Sequence, residues 1–304
     1  MSSIKNSKYM IPLGHLAALL TVMAWGSSFI CTKVLMEEGG FTPVETYIYR
    51  FALAYLVLLV FTIRHIRSRS WRDELQFFLC GICSGTVYFI TENYALLNTS
   101  AGNVSLLSGI SPIFTTLLMA LIYKTRVSKG VMLGSLAAFI GVGCVIFSTP
   151  LAQGLGMEIN PLGDLLALSS ALSWAIYAVA IKSLIPHYST FFVTRKLFFY
   201  GVITAIPFLL AQNEPTHLAT LFTTPHYLLN LLFLVLMCSL MAYIFWNEAM
   251  KIIGPVSTNN YLYLQAPVTM IVAYFVFGEQ IYALGYVGCV LIIGGLMMAD
   301  KYSR

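Results

Sequence analysis

Two gatherings of polar side chains interrupt an otherwise oily sequence of 304 residues. The first, residues 92–112, carries Glu92, Asn93, Asn103 and Ser105 and closes on Pro112. The second, residues 247–267, carries Asn247, Glu248, Asn259, Asn260 and Gln265 and closes on Pro267. Within them Asn93-Tyr94-Ala95-Leu96 is answered by Asn247-Glu248-Ala249-Met250. The chemistry these residues offer is recognition and proton exchange: a carboxylate can hold a proton or an ammonium, and amides can donate to a carboxylate. Polar groups are costly inside a bilayer and are usually kept there for a task. Two such patches at matching places in two halves predict one site built at a repeat interface.

Glu92 is the sharpest candidate. If its span enters the membrane near Phe77, a rise of 1.5 Å per residue puts the carboxylate about 22 Å into a core of about 30 Å. There it is a proton site or a partner for a substrate ammonium, or else a structural partner of Lys33 or Arg50. Lys33 and Lys182 sit at span ends, where they either snorkel to head groups or bind an anionic substrate. Arg50 lies deeper and is expected to fix helix packing through a carboxylate. Glu248 is three residues from Lys251, the spacing of a helical surface pair. Trp25, Tyr88, Tyr177 and Tyr263 either line a cavity or pack as ordinary aromatics. Asn93, Asn103, Asn247, Asn259 and Gln265 either face substrate or bond between helices. Pro112 and Pro267 kink their helices and free the carbonyls of Ser108 and Tyr263.

The elements that must hold these residues are membrane spans. The chain is 59% hydrophobic and 10% charged with mean hydropathy +0.82, against roughly 45–50% and 25% for soluble domains. Apolar windows long enough to cross a bilayer lie near 12–36, 43–64, 75–97, 102–123, 129–149, 161–184, 190–211, 227–250, 255–277 and 282–300. The fold class is therefore an all-α polytopic membrane protein of ten helices. With the N-terminus in the cytoplasm, fifteen of the seventeen Lys and Arg residues fall on inside segments or span ends. This positive-inside pattern orients the chain with both termini cytoplasmic, so the net charge of +5 argues for a plasma-membrane location and not for nucleic acid. Lys5 and Lys8 precede a first span too long for a cleaved signal peptide. The Cys80-x-x-Cys83 pair, beside Gly81 and Gly85, reads as a packing face; a redox pair needs an accessible thiol of low pKa. The five histidines are scattered, and neither a metal site nor a cofactor motif is visible.

Local signals sharpen the boundaries. Thr42-Pro43-Val44-Glu45 is a capping box with proline in the first turn, and Asn160-Pro161 opens the sixth span in a similar way. Residues 150–161 divide two halves, 1–150 and 151–304. Gly14 to Trp25 and Gly163 to Trp174 share one spacing, as do Trp25 to Lys33 and Trp174 to Lys182; Gly134 and Gly141 match Gly288 and Gly295. With five spans in each half, an odd number, the second copy enters from the opposite side and the repeats are inverted, a plan of secondary transporters. The glycine faces pack within one chain or between two, the latter giving a homodimer.

Trp25-Gly-Ser-Ser-Phe with Lys33, Arg50, Tyr94-Ala-Leu through Pro112, Trp174 with Lys182, Ala249 through Pro267 and Phe277-Gly278-Glu279 together resemble the EamA-like permeases of the drug/metabolite transporter superfamily. Lys124-Thr125 stands where that family often has Gly-Glu in the first copy. The resemblance implies ten helices and movement, chiefly export, of small metabolites such as amino acids. The function expected is secondary active transport by alternating access, with Glu92 as the candidate for proton coupling. The rivals are a carrier for an anionic or sugar-like metabolite, a scaffold or sensor that transports nothing, and an intramembrane enzyme. Against the enzyme, the chain has no His-Glu-x-x-His or Gly-x-Ser-x-Gly, and its three aspartates lie at span ends.

Overall fold

The structure is a computed structural model that describes residues 2–64, 66–99, 101–124, 126–154, 160–212, 216–277 and 280–303. Within those helices the side chains of residues 2–9, 29, 30, 33, 96, 97, 101–103, 105, 273, 276, 277 and 303 lie outside the description. The expectations for Lys33, Asn103, Gly278 and Glu279 therefore fall outside the described residues. Fourteen α-helices account for most of the rest: α1 Ser2–Lys33, α2 Pro43–Thr62, α3 Trp71–Gly81, α4 Tyr88–Asn98, α5 Ala101–Ser108, α6 Ser111–Tyr123, α7 Lys129–Ala152, α8 Pro161–Ala180, α9 Thr190–Ala211, α10 Leu218–Thr223, α11 Pro225–Phe233, α12 Ala242–Asn260, α13 Gln265–Phe277 and α14 Ala283–Ser303. No strand occurs among the described residues.

Helix starts follow the sequence signals. The Thr42 hydroxyl accepts from the Glu45 N–H at 3.1 Å while the Thr42 N–H donates to Glu45 Oε2 at 3.0 Å, so both halves of the capping box form. Asn160 Oδ1 accepts from the N–H groups of Leu162 and Gly163, both at 3.1 Å. Each cap satisfies donors that the helix leaves without an internal partner.

Nine of the described helical segments are long and apolar enough to cross a membrane. Eight correspond to single expected spans. The ninth, Pro225–Val272, has 48 residues and covers the expected eighth and ninth together. A straight helix of that length would extend about 70 Å, over twice a hydrocarbon core. It does not run straight: Gly254 has φ 82° and ψ 161°, a conformation open to glycine and closed to residues with a Cβ.

The chain divides into two compact units, residues 1–90 with 180–252, and residues 91–179 with 253–304. Each unit takes helices from both halves of the sequence. In the first, α2 packs on α9 and α9 on α3. A ring core of Phe51, Phe198 and Tyr243 lies there, with centroids 4.9–5.5 Å apart. In the second, α7 and α14 lie face to face. A Cβ on Gly134 would stand 2.5 Å from the Gly295 carbonyl oxygen, and one on Gly141 2.7 Å from that of Gly288. The matched glycines therefore meet each other inside one chain, letting two backbones touch as small residues do in lipid. That pairing occupies the faces a homodimer would have used.

Candidate functional site

The first unit is built around deformed helix. Three stretches, Val34–Glu38, Ile82–Val87 and Leu234–Met241, wind as wide π-type turns. Such turns disturb the regular carbonyl ladder and recur at functional positions. At the third, the Cys238 carbonyl accepts from both Trp25 Nε1 and Arg50 Nη2, each at 2.9 Å, and Arg50 Nε donates to Ser239 Oγ at 2.6 Å. Cys238 Sγ in turn reaches the Ala24 carbonyl at 3.3 Å. At the second, the Ser84 carbonyl accepts from the Tyr243 hydroxyl at 3.2 Å. Trp25 stacks against Tyr243 and Trp246 at 5.5 and 5.0 Å. Arg50 was expected to pair with a carboxylate. Its described partners are instead a hydroxyl, a carbonyl and the rings of Phe51 and Phe89, because the π-type turn offers acceptors without the cost of burying an anion.

Asn247 is fully buried and donates to the Tyr243 carbonyl at 2.9 Å and the Thr194 hydroxyl at 3.2 Å. Glu248 corrects a second expectation. Its carboxylate accepts from the Thr190 hydroxyl in place of an ion pair with Lys251, which puts a negative charge at the N-terminal turn of α9, where the helix dipole favours it. Tyr88 is half-buried against Phe89, and Lys182 is half-buried in the short 3₁₀ turn Ile181–Ser183.

Three charged clusters of this unit escaped the sequence reading. Lys196 Nζ lies 2.5 Å from Glu74 Oε1, which also accepts from the Tyr200 hydroxyl. Arg195, only 2% exposed, donates to the carbonyls of Thr62 and Ile66, both at 3.1 Å, and so closes the C-terminal end of α2. Both cations had counted only as charges that orient the chain; both are buried. Glu45, besides capping α2, accepts from the His217 N–H at 2.8 Å and lies 3.0 Å from His217 Nδ1. Partners lie far along the chain in each case, so no local spacing announces them.

The second unit holds the other candidates. Trp174 Nε1 donates to Asn259 Oδ1 at 3.0 Å, and Asn259 Nδ2 donates to the Pro255 carbonyl at 2.9 Å. One residue before, the Thr258 hydroxyl donates to the Gly254 carbonyl at 2.8 Å. The Asn259 and Thr258 bonds both run to the carbonyl four residues back, in the first turn after the break at Gly254. Asn260 Oδ1 accepts from Ser135 at 3.4 Å, whereas its Nδ2 has no partner among the described residues. The helix then tightens to a 3₁₀ turn over Tyr261–Leu264 before α13, which contains Gln265 and the buried Pro267. Tyr263 is buried among Ala138, Val142, Val145 and Ile292. Tyr177, fully buried, packs edge-on to Trp174 at 5.1 Å.

Near the other proline the helix passes through a short turn. Helix α5 ends at Ser108, the chain turns at Gly109 and Ile110, and α6 restarts with Pro112 in its first turn. No side chain caps that start. Ser111 Oγ and, one turn on, Thr115 Oγ1 are buried with no partner among the described residues. Glu92 and Asn93 are half-buried on α4. Among the described residues no cluster of His, Cys, Asp and Glu could hold a metal.

The family model for EamA-like transporters matches the chain twice, over residues 12–147 and 161–299. The chain belongs to the EamA-like transporter family. Similar proteins include the uncharacterized transporter YyaM of Bacillus subtilis, 27% identical over 92% of this chain and 90% of its own. A probable terminal-alkyne amino-acid exporter of Streptantibioticus cattleyicolor is 26% identical over 94% and 92%. A solved crystal structure at 18% identity superimposes with a TM-score of 0.75, covering 96% of this chain and 97% of its own. It shares the fold. In this EamA-like transporter the turn between α5 and α6 and the break at Gly254 both fall in the second unit.

Proposed function

We propose that this EamA-like transporter is a secondary active carrier, working by alternating access, that exports a small amino acid or a related metabolite. The observation that carries the reading is the start of α6: an uncapped helix end with two buried, unpartnered hydroxyls, Ser111 and Thr115, after a short turn in the chain. The second interruption, from Gly254 through Tyr261–Leu264, precedes the matching proline. Secondary carriers place interrupted helices in corresponding positions of two halves, and their exposed peptide ends bind charged cargo groups. A helix N-terminus favours a carboxylate, and Glu92 supplies an anion for an ammonium or a proton. The break at Gly254 supports reading Pro225–Val272 as two crossings. That makes ten spans and two inverted halves, 1–150 and 151–304, with both termini in the cytoplasm of the plasma membrane. The similar Streptantibioticus protein is a probable terminal-alkyne amino-acid exporter, which supports this choice of cargo.

The neutral interior of the second unit favours one alternative, a sugar-like cargo bound by amides and hydroxyls. Counterflow of labelled amino acids and sugars into proteoliposomes decides between them: accumulation of an amino acid but no sugar is expected, and accumulation of neither removes the carrier reading. Glu92→Gln is expected to abolish the response to an imposed pH gradient. An undiminished response would remove the proton coupling.

A further inference from the structure

A groove of about 550 Å³ opens in the first unit where the end of α2, the loop behind it and the start of α9 meet. Arg67, Arg69 and His187 line it together with Ser189, the N-cap of α9, and Phe61 and Phe191. No carboxylate is among its lining residues. The carboxylates around it are each held by a donor: Asp73 accepts from the hydroxyl of the lining Tyr188 at 2.5 Å, Glu74 is held by Lys196 and Tyr200, and Glu248 accepts from the Thr190 hydroxyl. Among the described residues neither Arg67 nor Arg69 makes an ion pair; Arg69 instead lies 5.5 Å over the Tyr188 ring. Burial, and then the bond to Asp73, hold the Tyr188 phenol above its ordinary pKa, so it adds no negative charge.

The floor is fixed from below. Arg195 holds the carbonyls of Thr62 and Ile66 at 3.1 Å and stands 4.9 Å over the Phe192 ring, which also lines the groove. The rim, by contrast, leaves large apolar rings uncovered, with Phe61 73% and Phe191 45% exposed. A soluble anion has no use for exposed rings beside the guanidinium groups. A phospholipid has use for both, since its phosphate sits at the level of the basic loops and its acyl chains lie alongside α2 and α9.

We propose that this groove is a binding site for the headgroup of an anionic phospholipid, with Arg67 and Arg69 receiving the phosphate. The groove shares no lining residue with the candidate cargo contacts and lies on the face that the positive-inside rule makes cytoplasmic. The test is thermal unfolding of the purified full chain in detergent with added phosphatidylglycerol, phosphatidylcholine or inorganic phosphate. Native mass spectrometry of the same samples reads retained lipid without any substitution. Phosphatidylglycerol is expected to raise the midpoint by several degrees and to survive as an adduct, and the zwitterionic lipid to do neither. The double variant Arg67→Gln/Arg69→Gln is expected to lose the shift. The control Arg64→Gln/Arg72→Gln removes equal charge from the same loop outside the groove and is expected to keep it. Equal loss in both double variants would reduce the effect to diffuse surface charge and overturn the site. An equal shift with inorganic phosphate would overturn the lipid assignment, as would the absence of any phosphatidylglycerol adduct on the unmodified protein.

Discussion

Both compact units bury hydroxyls and amides, but they differ in the charges they bury. Among the described residues every buried charged side chain, Glu45, Arg50, Arg195 and Lys196, belongs to the first unit. The second unit buries only hydroxyls and amides, from Ser111 and Thr115 to Asn259 and Asn260. The three π-type turns belong to the first unit as well. The matched tryptophans repeat the contrast: Trp25 donates to a backbone carbonyl, Trp174 to the side chain of Asn259. Charges are expensive to desolvate and persist only when held by several partners. A unit that satisfies its charges through main-chain carbonyls and short bonds is fixed in one arrangement. Neutral amides and hydroxyls cost less to bury and to expose in turn. They suit a region whose partners change as cargo arrives and leaves.

The glycine seam gives the largest expected effect, since it tests whether the second unit is held by backbone contact rather than by its polar groups. Gly134→Leu would drive a side chain into the Gly295 carbonyl and the Ala299 N–H, which lie 2.5 and 2.6 Å from the Cβ position. Backbone cannot rotate aside, so the expected loss is upward of about 3 kcal/mol, with little folded protein recovered from detergent. Normal yield and melting would show that the seam is looser than drawn.

Next in size is the charge network of the first unit. Lys196→Met leaves Glu74 with Tyr200 but without its cation, and the expected destabilisation is about 2–3 kcal/mol. Pairing it with Glu74→Leu is expected to recover most of that loss. A double variant no better than the single one would mean the lysine acts by packing alone. Both readings are separable by melting temperature.

Much of this was legible in the sequence where the signal is local. The capping box at Thr42 and Glu45, the Asn160 cap, and the seven-residue glycine spacing on α7 and α14 each depend on neighbours within two helical turns. The boundary expected between the windows 227–250 and 255–277 falls on the helix break at Gly254, where a glycine precedes a proline. The π-type turns at Ile82–Val87 and Leu234–Met241 have no residue signature, because a π-type turn is set by what packs around it. Arg50 was read correctly as buried and wrongly as paired with a carboxylate, since its acceptor is a carbonyl that only a deformed helix exposes. Lys196 and Glu74 lie 122 positions apart, and no pattern in one strand of sequence joins them.

A smaller effect comes from Trp174→Phe, which keeps the ring and deletes the donor to Asn259. The loss of one buried hydrogen bond predicts about 1 kcal/mol of stability. Because Asn259 also donates to the Pro255 carbonyl just after the break at Gly254, counterflow is expected to slow more than melting changes. The corresponding Trp25→Phe should cost stability to a similar degree and leave cargo selectivity as it was, because its lost partner is a carbonyl that Arg50 continues to hold.

The smallest expected change in stability is the most telling. Thr115 is fully buried and its hydroxyl has no partner among the described residues. Thr115→Val keeps the shape and removes only that hydroxyl. If the hydroxyl served the fold, its removal would destabilise by about 1 kcal/mol, as for an ordinary buried bond. Here it contributes desolvation cost and no bond, so the melting temperature is expected to hold or to rise. Cargo binding is expected to weaken about tenfold, the effect of losing a single hydrogen bond to bound cargo. Stability lost with transport intact would place Thr115 in the scaffold and dissolve the contrast between the two units; stability kept with transport impaired would locate cargo contact on α6, at the turn that the proline marks.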